Sequence, residues 1–108
     1  MKTLRQWQQT IGSWARQKGW DDKRPFGDDI ALMHSELSEA YEEFRNGKKI
    51  SEVYIVNEKP EGIPIELADT VIRILHFCEK YGLDLDKLIA MKMEYNQTRP
   101  YRHGGKVT

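Results

Sequence analysis

Four carboxylates stand in two short motifs that share the same internal spacing. The first motif is Glu36-Leu-Ser-Glu39, the second is Glu66-Leu-Ala-Asp69, and 26 residues lie between them. A separation of three residues puts both members of a pair on one face of a helix. Carboxylates crowded together repel one another and raise their own pKa values, and a divalent cation relieves this repulsion. The motifs therefore indicate an all-oxygen site for a hard ion, Mg²⁺ or Mn²⁺.

Apolar periodicity places each motif beside the buried face of a predicted helix. Around the first motif the apolar residues recur every three to four positions, at Ile30, Met33, Leu37, Ala40 and Phe44. The helix around the second motif is apolar over more than half of its circumference, so we expect most of it to be buried. Packing these two helices together would cluster the four carboxylates. For either pair alone, surface salt bridges with Arg73 or Lys80 are the alternative.

The same periodicity, with capping residues and glycines, predicts an all-α chain of four helices. The first follows Thr3 and ends near Gly19, the second is capped by Asp28 and ends at Asn46-Gly47, the third begins around Pro64 and ends at Tyr81-Gly82, and the fourth runs from Asp84 to about Asn96. The connection over residues 47–63 is long and contains an extended run, residues 53–56. No linker or repeat interrupts the chain, so residues 1–108 are expected to form one domain.

Composition narrows the possible partners and the compartment. Acidic and basic residues balance at 17 each, which makes a nucleic acid polymer an improbable partner because phosphate neutralisation needs a cationic surplus. The balance conceals an acidic middle, residues 28–79, between two basic ends. Cys78 is the sole cysteine, which favours a reducing, cytoplasmic location. No apolar run approaches a membrane span and the polar N-terminus is unlike a signal peptide, so no membrane partner is expected.

At the two carboxylate motifs the sequence resembles the all-α nucleoside triphosphate pyrophosphohydrolases, specifically their MazG-like branch. The signature of that family is Glu-x-x-Glu, a spacer, and then Glu-x-x-Asp, which is the order found here. Residues 32–35 before the first motif, residues 60–65 before the second and residues 95–106 in the tail are also similar to the family. The resemblance spans roughly residues 28–106.

The resemblance implies a four-helix MazG-like bundle that assembles through helix packing into a dimer or tetramer. It implies Mg²⁺-dependent hydrolysis of an NTP or dNTP to the monophosphate and pyrophosphate, so the expected partners are the nucleotide and further copies of the chain. The implied metal ligands are Glu36, Glu39, Glu66 and Asp69. Phosphate contacts are implied for side chains of the last helix and the tail, namely Lys92, Asn96, Arg99, Arg102 and Lys106.

Two positions depart from the family pattern. Several relatives carry a further glutamate just before the first motif, where this chain has Ser35, so Glu36 or Glu39 is the expected catalytic residue that orients the attacking water. His76 stands on the polar strip of the third helix where a carboxylate is expected. These departures motivate an alternative function, a non-catalytic helical dimer that binds nucleotides or a protein partner. A purely structural helical bundle is a further alternative, whereas a di-iron bundle is excluded because no Glu-x-x-His occurs.

Aromatic residues supply the candidates for binding a base. Trp20 and Phe26 lie in the connector before the second helix, which suits the wall of a pocket, and His34 follows on that helix. Trp7 and Trp14 lie at helical spacing and are assigned to the core. The sequence therefore suggests Trp20, Phe26 and His34 as base contacts without selecting a base.

Overall fold

In a computed structural model, which describes residues 1–20 and 23–100, the chain is mostly helical. The helices are α1 (Leu4–Gln17), α2 (Phe26–Arg45), α3 (Ile63–Lys80) and α4 (Leu85–Gln97). Two short strands, β1 (Tyr54–Val56) and β2 (Lys59–Glu61), pair antiparallel between α2 and α3. The predicted helical class is confirmed, with this small hairpin as an addition. Assembly into a dimer or tetramer stays a prediction.

The starts of α1 and α4 follow their predicted caps, whereas the start of α2 does not. The Thr3 side chain accepts a hydrogen bond from the backbone of Gln6, whose side chain accepts one from Thr3 in return. Asp84 accepts from the backbone of Lys87 at the start of α4. The prediction that Asp28 caps α2 is wrong, because α2 begins at Phe26. Asp28 instead lies in the first turn, where its charge complements the helix dipole.

The hairpin occupies the connection that the sequence predicted only as partly extended. Asn57 and Glu58 both have positive φ angles, 50° and 69°, as a two-residue type I′ turn requires. Gly62 follows with φ 124° and joins β2 directly to α3. A Cβ at this position would collide with the backbone carbonyl oxygen of Glu52. Glycine is therefore needed where the chain turns from the hairpin into α3.

The third helix is the centre of the packing. It lies against α2 along one side and against α1 along another, while α4 packs mainly against α1. The buried apolar residues lie along these contacts and are Ile11, Ala15, Ala40, Ile63, Leu75 and Cys78. Across the described ranges, no helix combines the length and the apolar character that crossing a bilayer requires.

Much of the predicted core stripe is exposed in the single chain. Leu37 and Phe44 of α2 are 47% and 53% exposed, and Leu67 and Val71 of α3 are exposed to a similar degree. The expectation that most of α3 is buried is therefore wrong within one chain, because only α1 and α2 pack extensively against it. Trp7 and Trp14, which we assigned to the core, are exposed as well.

Candidate functional site

Packing of α2 against α3 brings together three carboxylates of the two motifs. One oxygen from each of Glu36, Glu39 and Glu66 lies within 4.8 Å of the other two, and we call these residues the carboxylate cluster. Glu36 and Glu39 share a face of α2, and Glu66 lies in the first turn of α3. Glu36 and Glu66 are buried, whereas Glu39 is exposed. A solute therefore reaches the cluster from the side of Glu39.

Glu66 is the most perturbed member of the cluster. Its side chain is 7% exposed, and its Oε2 atom has no hydrogen-bond partner among residues 1–20 and 23–100. Burial, together with the neighbouring Glu39 and Glu36, raises the pKa of Glu66 to about 8. The metal-free protein therefore holds a proton on Glu66 at neutral pH, because three adjacent anions in a buried position would be unstable.

Asp69 lies at the border of the cluster. It follows Glu66 by three residues on α3, but it is not part of the group of oxygens that lie within 4.8 Å of one another. Burial and the charge of Glu36 raise the pKa of Asp69, so it lies near enough to interact with the cluster electrostatically. The structure thus brings three of the four predicted metal ligands together and places the fourth beside them.

An arginine holds Glu36 in place. The Nε atom of Arg73, on α3, donates a hydrogen bond of 2.8 Å to Oε1 of Glu36. Burial alone would raise the pKa of Glu36, but the hydrogen bond and the charge of Arg73, together with contacts to Glu66 and Glu39, outweigh burial and lower it. Glu36 is therefore ionised at neutral pH. Within the described part of the chain, neither Glu39 nor Glu66 forms an ion pair.

The hairpin borders the cluster and is tied to α2 through its first strand. The hydroxyl of Tyr54 donates to both carboxylate oxygens of Glu43, at 2.7 and 3.0 Å, and this contact raises the pKa of Tyr54 to about 12. On β2, the Nζ atom of Lys59 lies 3.2 Å from Oε1 of Glu61. That contact, with smaller effects from Glu66 and Asp69, raises the pKa of Lys59. The hairpin therefore brings a cation near the cluster.

A second ionic network was missed by sequence reasoning. Asp29 of α2 accepts hydrogen bonds from Arg24 at 2.8 Å and from Lys80 at 2.9 Å, and both Asp29 and Lys80 are almost completely buried. Burial opposes ionisation of Asp29, but the two cations outweigh it and lower its pKa. The only sequence feature that pointed to this network was the position of Lys80 in the last turn of a largely apolar helix. These side chains, with Arg73, His76 and Phe77, line a cavity of about 20 Å³, space for roughly one water molecule.

Comparison with known proteins identifies no relative. No family model matches the chain, and neither a curated protein nor a solved structure matches it. The family resemblance therefore rests on the two motifs and their flanking residues.

The predicted phosphate contacts are not in contact with the carboxylate cluster within the described chain. No residue of α4 is buried, and α4 packs mainly against α1 rather than α2. The ammonium group of Lys92 lies over the ring of Tyr95 at 4.8 Å, and the side-chain amide of Asn96 contacts the sulfur of Met93. Arg99 is exposed after the end of α4. Arg102 and Lys106 lie outside the described residues, and all five assignments stay predictions.

The three predicted base contacts lie in different places. Trp20 packs edge-on against Trp14 of α1, with ring centroids 4.6 Å apart. Phe26 begins α2 and contacts Phe77 of α3 at 5.7 Å, beside the small cavity. His34 is exposed on α2. Of the three, Phe26 is the one whose ring contacts the helix that carries Glu66 and Asp69, and none of the three assignments is tested by these contacts.

The donor atoms of the cluster suit a hard divalent cation. All three ligands are carboxylate oxygens from two helices, and magnesium sites in proteins are built from such oxygens together with water and phosphate oxygens. The buried, unpartnered Oε2 atom of Glu66 is the specific observation that fits a cation, because a buried polar oxygen without a partner is otherwise destabilising. The fit is to Mg²⁺ or Mn²⁺, since no thiolate or imidazole belongs to the group.

Proposed function

We propose that the protein is a Mg²⁺-dependent pyrophosphohydrolase of the MazG-like kind that converts an NTP or dNTP to the monophosphate and pyrophosphate. The observation that carries the proposal is the meeting of Glu36, Glu39 and Glu66 within 4.8 Å at the interface of α2 and α3. The two motifs are thus close in space as well as ordered in sequence. Mn²⁺ is the expected substitute for Mg²⁺ because its ligand preferences are similar.

The three clustered carboxylates take different roles in this proposal. Glu36 and Glu66 are the buried ligands, while Asp69 completes the set from the border of the cluster. When bound, the metal polarises a phosphoryl oxygen and lowers the pKa of a coordinated water. Glu39 is the exposed carboxylate and has no paired cation in the described chain, so it is better placed than Glu36 to orient the attacking water.

The proposal includes assembly into a homodimer or a dimer of dimers. Leu37, Tyr41 and Phe44 form an exposed stripe on α2, and Leu67 and Val71 are exposed on α3. Contiguous apolar surface on helices of this kind is typical of an interface. A second copy could also supply phosphate-binding side chains, because α4 packs mainly against α1 in one chain. Sedimentation analysis at several protein concentrations tests this assembly.

The decisive experiment is a panel of NTPs and dNTPs incubated with the purified protein and Mg²⁺, with the products separated. Release of pyrophosphate and monophosphate identifies the cleaved bond and the preferred base together. E39Q and D69N should each abolish turnover, because each removes a negative charge from the metal site or its border. E42Q is the matched control, since Glu42 lies on the exposed side of α2, where its side chain pairs with Arg45.

Absence of turnover with every nucleotide would contradict the proposal. Saturable nucleotide binding without hydrolysis would favour the non-catalytic binding dimer instead. A purely structural bundle predicts neither binding nor a Mg²⁺-dependent rise in melting temperature, whereas a metal that binds the folded state raises it in proportion to occupancy.

A further inference from the structure

Arg73 is the cation that directly contacts the carboxylate cluster. Among residues 1–20 and 23–100, no other lysine or arginine is hydrogen-bonded to Glu36, Glu39 or Glu66. Arg73 lies on α3 one helical turn after Asp69, so it is on the same strip of the helix as the second motif. Its side chain remains 36% exposed, so a solute can reach it.

The guanidinium of Arg73 uses one of its edges for this contact. The bond to Glu36 is made through Nε, and neither terminal nitrogen is hydrogen-bonded to a described residue. A guanidinium carries five N–H donors in a planar fork, which suits simultaneous contact with a carboxylate and a phosphate. The geometry therefore leaves donors next to a site that is otherwise strongly negative.

A triphosphate needs such a cation in order to approach this cluster. Glu36 is paired with Arg73, and Glu39, Glu66 and Asp69 add further carboxylates at or beside the same site. One divalent ion cannot neutralise these groups and the triphosphate together, since the nucleotide brings several negative charges of its own. The phosphate contacts expected on α4 lie on a helix that packs mainly against α1. Among residues 1–20 and 23–100, Arg73 is therefore the cation best placed to offset this repulsion.

We propose that Arg73 binds the triphosphate through its terminal nitrogens while its Nε atom stays hydrogen-bonded to Glu36. This inference rests on the proposed function and deepens it, because it names the residue that joins the metal ligands to the phosphate chain. Arg73 also reduces the negative charge of the metal-free cluster. Its removal should therefore weaken binding of a polyphosphate without weakening binding of the metal alone.

The experiment measures two bindings separately by calorimetry, using Mn²⁺ alone and then inorganic tripolyphosphate in saturating Mn²⁺. In R73Q we expect the Mn²⁺ affinity to be unchanged or higher, and the tripolyphosphate affinity to fall about 10- to 100-fold, as for loss of a charged hydrogen bond. R73K keeps the charge but loses the planar fork, so it should recover part of the affinity.

K59Q is the control matched for charge. Lys59 lies near Glu66 and Asp69 but makes its contact with Glu61, so K59Q removes one positive charge without removing the Arg73 contact. If long-range charge alone attracts the polyphosphate, K59Q and R73Q will weaken it equally, which would overturn the inference. A fall in tripolyphosphate affinity at least fivefold larger in R73Q than in K59Q would support it.

Failure of this inference is distinguishable from failure of the proposed function. If the unaltered protein binds neither Mn²⁺ nor tripolyphosphate, both the proposed function and the proposed role of Arg73 are overturned. If the unaltered protein binds both and R73Q binds tripolyphosphate equally well, only the role of Arg73 is overturned. Loss of Mn²⁺ and tripolyphosphate binding together in a folded R73Q, judged by its circular dichroism, would show a structural role and would also overturn it.

Discussion

The raised pKa of Glu66 makes the stability of the metal-free protein fall as the pH rises. The unfolded chain ionises this carboxyl at its ordinary value of 4.5, whereas the folded chain keeps the proton until about pH 8. Between these values the folded state binds more protons than the unfolded state, so each pH unit lowers the free energy of unfolding by about 1.4 kcal/mol. The total loss is of the order of 4 kcal/mol.

The neighbouring acids do not reverse this trend. The pKa of Asp69 is also raised, so its ionisation further lowers the free energy of unfolding as the pH rises. Asp29 and Glu36 have lowered pKa values, so their contributions are fully present above about pH 5 and vanish only in more acidic solution. For a domain of this size, a loss of about 4 kcal/mol corresponds to a melting temperature roughly 15 °C lower at pH 8 than at pH 5.

The assay is thermal unfolding in EDTA at fixed protein concentration, from pH 5 to pH 8. E66Q puts a neutral amide in place of the protonated carboxyl, so its melting temperature should fall much less over this range and be higher than that of the unaltered protein at pH 8. E42Q, on the exposed side of α2, should keep the original slope. A melting temperature that stays level in the unaltered protein, or an equal slope in E66Q, would refute the reasoning about the cluster.

Substitutions at three further places test the elements around the site. D29N leaves Lys80 charged and buried without its partner, which should lower the free energy of unfolding by about 3–5 kcal/mol in urea titrations, and K80M in the same background should restore much of it. Y54F removes the hydroxyl that donates to Glu43 and should slightly lower the free energy of unfolding, with faster amide exchange in the hairpin. G62A should lower it by at least about 1–3 kcal/mol, because φ is 124° and the added Cβ meets backbone, and an unaltered melting curve would contradict this.

The helices and the candidate cluster were predictable because both depend on short-range patterns. Thr3 and Asp84 cap their helices as predicted, since a capping side chain acts on a backbone group only three residues away. Glu36 and Glu39 share one helix face because they are three residues apart, and they meet Glu66 because α2 packs against α3.

Sequence reasoning missed contacts between residues that are distant in sequence and contacts made by residues outside the helices. Lys80 pairs with Asp29, and the contact with Arg24 depends on the path of a connector that has no periodicity. The hairpin depends on positive φ angles at Asn57 and Glu58, and glutamate is not among the residues whose presence predicts such a turn. Sequence reasoning assigned the exposed apolar stripe that includes Leu37 to the core. Periodicity shows that a helix face is apolar, but it does not show whether the same chain or another copy packs against it.

The hairpin connects the two helices that carry the carboxylate cluster, α2 with Glu36 and Glu39 and α3 with Glu66. Tyr54 links the first strand to α2 through its hydrogen bond to Glu43, and Gly62 joins the second strand directly to α3. A short piece of extended chain thus joins the two helices, which also pack directly against each other. Insertions at the tip of the hairpin, residues 57–58, should leave the Tyr54–Glu43 hydrogen bond and the junction at Gly62 unchanged. A residue added at Gly62 would alter the spacing of the carboxylates themselves, so the tip is the natural place to graft a peptide tag or a spectroscopic label.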